Sequence, residues 1–116
     1  MMITNYFKLS HKVELYVPSV GQDGVKLERA AIEHAIMSVA DKLTELFGGA
    51  TTTPAFGYFK HMDGKVTTEG VNIVFAYAQE LTDVAIEAVI KTAETLKKQL
   101  NQEAVMIVLD GEAYFI

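Results

Sequence analysis

Three histidines and two carboxylates are the side chains in this sequence best placed to move protons or hold a ligand. The histidines are His11, His34 and His61. None is spaced as a metal pair, and neither HxH nor HExxH occurs, so the spacing does not point to a metal centre. His34 falls off the apolar stripe of a predicted helix and reads as solvated. His61 stands at the tip of a predicted hairpin beside Lys60, where a tip can close over a neighbouring subunit's pocket. Glu14 and Glu69 are the best general-base candidates, Glu14 because it points toward a half-apolar sheet face. Ser10, Ser19 and Ser38 lack the context of a nucleophile elbow. The run GGATTTPAFG resembles a phosphate loop only superficially. It lacks the Gly-Lys-Ser/Thr ending, and its glycines follow a helix and precede a strand, the reverse of the P-loop order.

A ligand-binding reading therefore rests on a face rather than on a catalytic motif. Glu14, Tyr16, Thr52, Tyr58, Lys60, His61 and Asn72 are the candidate ligand-binding residues. They combine aromatic rings and a few polar groups with small apolar neighbours such as Ala76 and Ala104, which is how small-molecule sites are generally made. No cofactor and no metal are expected. Cysteine is absent, which removes disulfides, thiolate metal sites and a cysteine nucleophile. With a formal charge of −5 and one arginine, Arg29, among ten basic residues, the chain lacks the electrostatic footprint of a DNA- or RNA-binding protein. Scarce arginine also weighs against a polyphosphate ligand.

The elements that must position these groups are legible from periodicity. Tyr6 to Val17 reads as extended, clearest where Val13, Leu15 and Val17 alternate with polar residues, and Pro18 ends the strand. SVGQDG is a polar loop in which Asp23 is expected to cap a helix running from about Val25 to Phe47. Ile32, Ile36, Val39, Leu43, Leu46 and Phe47 form its stripe, and Gly48-Gly49 stops it. Two β-prone runs then flank Asp63-Gly64, predicted as a type I′ hairpin turn. Thr82 or Asp83 should cap a second helix with the stripe Ile86, Val89, Ile90, Ala93, Leu96 and Leu100, and Asn101 follows its end. AVMIVL reads as a buried strand, and Asp110-Gly111 turns it into a short closing strand, EAYFI.

Strand, helix, strand, strand, helix, strand is the split βαβ order. The expected fold is α+β, a ferredoxin-like sandwich with two helices on one face of an antiparallel sheet and an extra C-terminal hairpin strand. At 116 residues it is expected to be one domain, 1–116. The helix-facing set is read as Val13, Leu15, Val17, Val71, Ile73, Phe75, Tyr77, Val105, Ile107 and Leu109. The other face would carry Glu14, Tyr16, Asn72, Val74, Ala76, Ala104, Met106 and Val108. Because that face is also apolar, a homo-oligomer, dimer or higher, is expected. MMITNYFKLSHK has no apolar run of signal-peptide length and no segment reaches membrane-span length, so the expectation is a cytoplasmic protein without a membrane partner.

VELYVP, LFGGATTTPAFGYFKHMDGKVTTEGVNIVFAY and NQEAVMIVLDGEAYFI together resemble a functionally uncharacterised family of small bacterial proteins, often carried by phages and mobile elements. Shared features are the ELY strand, the Gly/Thr/Pro hairpin with its DG-x-V step and the QEAV strand. The resemblance implies a ferredoxin-like build and a mobile-element setting, and carries over no catalytic residues. Three functions follow. The favoured one is a non-enzymatic, homo-oligomeric small-ligand-binding protein, such as a phage protein sequestering a nucleotide-derived signal. The second is a small dimeric enzyme using Glu14 or His61 as acid/base, and the third an inhibitor that grips a host enzyme through a sheet edge.

Overall fold

A computed structural model describes residues 6–116; the start of the MMITNYFKLSHK segment lies outside the described residues. The element order is β1 (His11–Val17), α1 (Arg29–Phe47), β2 (Thr51–Lys60), β3 (Val66–Ala78), α2 (Asp83–Gln99), β4 (Met106–Leu109) and β5 (Glu112–Phe115). All ladders are antiparallel, and the sheet order is β2-β3-β1-β4-β5. This is the α+β ferredoxin-like order with one added edge strand, as the sequence periodicity predicts. The long β2–β3 hairpin makes the molecule 51 Å long against 29 and 23 Å across.

Local chemistry sets the boundaries. Thr82 caps α2 by accepting a hydrogen bond from the Ala85 N–H at 3.1 Å, and Lys97 and Lys98 sit in the last turn, where cations suit the helix dipole. Asp23 does not cap α1. Its Oδ1 accepts from the Val25 N–H two residues on, an Asx turn that spends the capping group inside the loop. Helix α1 therefore starts later than expected, after Glu28, which makes no side-chain cap. Strand β1 likewise starts at His11 rather than Tyr6.

The two Asp-Gly turns differ. Asp110 and Gly111 both have positive φ, at 51° and 84°, as a two-residue type I′ loop requires. At the first hairpin only Gly64 is left-handed, with φ 87°. The Gly64 N–H donates to His61 O and the His61 N–H to Lys65 O, which makes a three-residue loop with a glycine bulge. The Asp63 side chain accepts from the Lys65 N–H at 2.9 Å, holding Asp63 in a right-handed turn.

The core lies between the helices and one sheet face. Val13, Leu15, Val17, Val74, Ala76, Val105 and Ile107 pack against Ala35, Val39, Leu43, Val89, Ala93, Leu96 and Leu100. This reverses the expected facing of β3. The register pairs Val13 with Ala76, Leu15 with Val74 and Val17 with Asn72, and residues directly opposite in an antiparallel ladder point to the same side. Val74, Ala76 and Asn72 therefore face the helices, and Val71, Ile73, Phe75 and Tyr77 face away. Both alternating sets of β3 are apolar, so hydrophobicity cannot choose between them. The smaller set is the one beneath the helices, where side chains must interdigitate at close-packed density.

The outer face is consequently bulkier than expected. It carries Tyr16, Val71, Ile73, Phe75, Tyr77, Met106, Val108 and Phe115, with Lys12 and Glu14 between them. The Phe75 and Tyr77 rings meet edge to face at 6.1 Å, and Lys12 Nζ lies 4.7 Å from the Phe75 centroid. No described helix is long and apolar enough to cross a membrane.

Candidate functional site

The segment between β1 and α1 folds into a small hairpin of its own. Val20 pairs with Lys26, the Gly21 N–H donates to Val25 O at 2.9 Å, and the Gly24 N–H donates to Gly21 O at 3.0 Å. It is fastened on two sides. Toward β3, Ser19 donates from its backbone N–H to Glu69 Oε2 at 3.3 Å and from its hydroxyl to Gly70 O. Toward the α2–β4 turn, the Gln22 N–H donates to Asn101 O at 2.8 Å, and Gln102 Nε2 donates to Val20 O at 2.8 Å. A loop tied down on two sides is preorganised, so a site built against it loses little entropy on binding.

Between this loop and the stem of the β2–β3 hairpin lies a groove of about 570 Å³. Gly21, Gln22, Lys26, Phe59, His61, Thr67, Glu69 and Gln102 are among the groups lining it. Strand alternation brings Phe59, Thr67 and Glu69 to the side of the sheet that also carries Val71. His61 Nε2 lies 2.9 Å from Thr67 Oγ1 across the hairpin, which fixes the ring beside the groove. Among the described residues, the hydrogen bonds to the Glu69 side chain all end on Oε2. One carboxylate, one lysine, one imidazole and two side-chain amides around an aromatic ring suit an uncharged or zwitterionic ligand with several hydroxyl or amino groups. They do not suit a polyphosphate, which would need more than one fixed cation. A second concavity of about 420 Å³ runs between the helices over Ala35, Val39 and Leu96. It carries lysines, hydroxyls and an amide at its rim but no carboxylate or imidazole.

The residues singled out from sequence are divided by the sheet. His61 lines the groove. Glu14 and Tyr16 lie on the outer face farther along β1, where Glu14 Oε1 is 3.5 Å from Lys12 Nζ. Thr52, Tyr58, Lys60 and Asn72 fall on the helix side, as their partners Val74, Thr68, Val66 and Pro54 do, and the expected grouping of Asn72 and Tyr58 with Glu14 and Tyr16 is not formed. Their displacement has the same cause as the reversed facing of β3. Of the carboxylates named as general-base candidates, Glu69 is the one beside the groove. Sequence reasoning missed Gln22, Lys26, Phe59, Thr67 and Gln102. SVGQDG gave a signal, since a Gly-rich polar loop after a strand is a common site-forming element, but nothing local showed that it folds toward Glu69. Among the described residues no group of three His, Asp or Glu side chains could hold a metal ion.

No family model matches the chain, and no curated protein matches it. Solved structures do. A phage SAM lyase in complex with S-methyl-5'-thioadenosine superposes with a TM-score of 0.68 at 14% identity, over 100% of this chain and 95% of that one. A phage SAM lyase in the apo state gives a TM-score of 0.63 at 16% identity, over 97% and 95% of the two chains. CutA from Pyrococcus horikoshii gives 0.52 at 11% identity, over 87% and 82%. At these identities the likeness shows a shared fold, and in the lyases it extends along nearly the whole of both chains.

Proposed function

We propose that this chain is a homo-oligomeric protein that binds a small adenine nucleoside, of the class of S-methyl-5'-thioadenosine, in the groove beside Glu69. The carrying observation is the groove itself: an aromatic ring, a carboxylate, an imidazole and amides around about 570 Å³, walled by a loop fastened to β3 on one side and to the α2–β4 turn on the other. That volume lies in the range of small-molecule sites, and a nucleoside presents what the lining can engage: a flat base, hydroxyls and no phosphate. The likeness to a phage SAM lyase holding such a nucleoside supports the ligand class. Assembly is supported by the outer sheet face, where Ile73, Phe75, Tyr77 and Phe115 form an apolar surface of the kind monomers seldom leave in water. In a phage or mobile-element setting such a protein would sequester a nucleotide-derived signal.

A second reading is favoured by Glu69 and His61 standing at one groove. There the protein acts on S-adenosylmethionine as a lyase: the S–Cγ bond breaks with its electron pair going to sulfur, which leaves as S-methyl-5'-thioadenosine, and the substrate's own carboxylate bonds to Cγ to give a lactone. One experiment tests both. Native mass spectrometry of protein purified from cells should show an oligomer and, in the same spectrum, a mass increment matching a nucleoside. Incubation with S-adenosylmethionine, followed by chromatography, then separates the readings: release of S-methyl-5'-thioadenosine marks the enzyme, and unconverted S-adenosylmethionine from a protein that does retain the nucleoside marks the binder. A bare monomer that takes up neither compound at millimolar concentration would end the proposal.

A further inference from the structure

Glycine at position 57 has no conformational reason to be there. Gly57 lies in extended β2 with no left-handed φ, in mid-strand, where glycine weakens a sheet. Its reason is the neighbour two residues on. A Cβ built at Gly57 would stand 2.9 Å from Cε2 and Cζ of Phe59 and 3.7 Å from Val71 Cγ1. The Phe59 ring therefore lies back along the strand, its edge over the bare α-carbon of Gly57. The ring remains 49% exposed, and it lines the groove. Across the ladder Gly57 pairs with Glu69 and Phe59 with Thr67, so this half-open ring adjoins the carboxylate and hydroxyl of the site.

We propose that Phe59 is the platform on which the ligand's base stacks, and that Gly57 is a specificity-determining residue because it lets the ring lie there. The proposal rests on the reading of the groove as a nucleoside site. The base on Phe59 sets the sugar toward Glu69 and Thr67, so the ring selects for a base and the polar groups select for what the base carries. Residue 57 acts only through the ring. The atoms a Cβ would strike are the far end of a side chain that can swing aside, so Gly57→Ala displaces the platform at little cost to the fold.

Two ligands separate stacking from the rest of the site: S-methyl-5'-thioadenosine and methylthioribose, the same sugar thioether without its base. Calorimetry of the wild-type protein should show the nucleoside bound far more tightly. Phe59→Ala should weaken nucleoside binding about 5- to 150-fold, the range that base stacking on an aromatic ring provides, and leave methylthioribose unchanged. Gly57→Ala should weaken the nucleoside while keeping the wild-type melting temperature. Phe56→Leu, on the same strand but the opposite side of the sheet, should bind like wild type. Since the chain has no tryptophan, Phe59→Trp places a single reporter in the groove, and the nucleoside, but not methylthioribose, should quench its emission. This variant also decides the matter if Phe59→Ala does not fold. Wild-type protein that binds the nucleoside, with Phe59→Ala binding it equally, overturns the stacking proposal and leaves the groove reading standing. Wild-type protein that binds methylthioribose as tightly as the nucleoside overturns it as well. No nucleoside binding by the wild type overturns both.

Discussion

Val74 and Ile73 are consecutive in β3 and opposite in fate, so the same substitution at each should give different outcomes. Val74 is 0% exposed, sits across the ladder from Leu15 and Thr52, and belongs to the core beneath the helices. Val74→Glu would bury a carboxylate with no cation beside it, at several kcal/mol, and would lose the ~1.5–3 kcal/mol of burying valine. Together these come to about 5–8 kcal/mol, against roughly 6–17 kcal/mol for a domain of this length at about 0.05–0.15 kcal/mol per residue. The variant should lose from about a third to all of that stability. Ile73 faces away from the helices, opposite Tyr16 and Thr53, where a glutamate can reach water in an isolated protomer. Ile73→Glu should keep the fold and cost the assembly about 3–5 kcal/mol, which is about two to four orders of magnitude in dissociation constant. Circular dichroism melts read the first effect and sedimentation velocity the second. A Val74→Glu protein melting like wild type would refute the facing assigned to β3. An Ile73→Glu protein sedimenting like an oligomeric wild type would refute the outer face as the interface.

Gly111→Val and Gly64→Val force a β-branched residue to φ 84° and 87°, and each should cost about 1–3 kcal/mol of stability by thermal melting. Gly111→Val should cost more, because β5 leads into Ile116, which packs against the core. Thr82→Ala removes the hydroxyl that accepts from the Ala85 N–H and should lower stability by about 1 kcal/mol in denaturant titration. The Asp110 carboxyl is held below its ordinary value by hydrogen bonds from His11 and from the Lys12 backbone. A depressed folded-state value means that its contribution is present above the ordinary Asp range near about 3.9 and fades as pH falls through the lower folded value. Wild type should therefore lose stability in acid more steeply than Asp110→Asn, and coincident acid melts would contradict that assignment.

The order of elements was legible because each change of period coincides with a local stop signal. Leu43 to Phe47 end in Gly48-Gly49, Thr82 caps the next periodic run, and both Asp-Gly steps separate β-prone segments. The facing of β3 was not legible, because Ile73, Phe75 and Tyr77 are as apolar as Val74, Ala76 and Ala78. The choice between them is made by steric fit under α1 and α2, which involves residues far away in sequence. The type of the first turn was missed for a local reason: the Asp63 side chain bonds to Lys65 and lengthens the loop by a residue. The site followed from these. His61 and Glu69 were recognisable as groups able to do chemistry. That they meet Gln22 and Gln102 depends on a loop fastened by Ser19, Asn101 and Gln102, contacts between residues 50 to 82 positions apart in the chain.

The central claim is a place as well as a ligand, so the most direct measurement is a crystal structure of the wild-type protein grown with S-methyl-5'-thioadenosine. The expected result is nucleoside density between the Val20–Lys26 loop and the hairpin stem, with the base against Phe59 and a sugar hydroxyl within hydrogen-bond distance of Glu69 or Thr67. Density in the interhelical groove over Val39 and Leu96, or a groove beside Glu69 holding only solvent at saturating nucleoside, would contradict it.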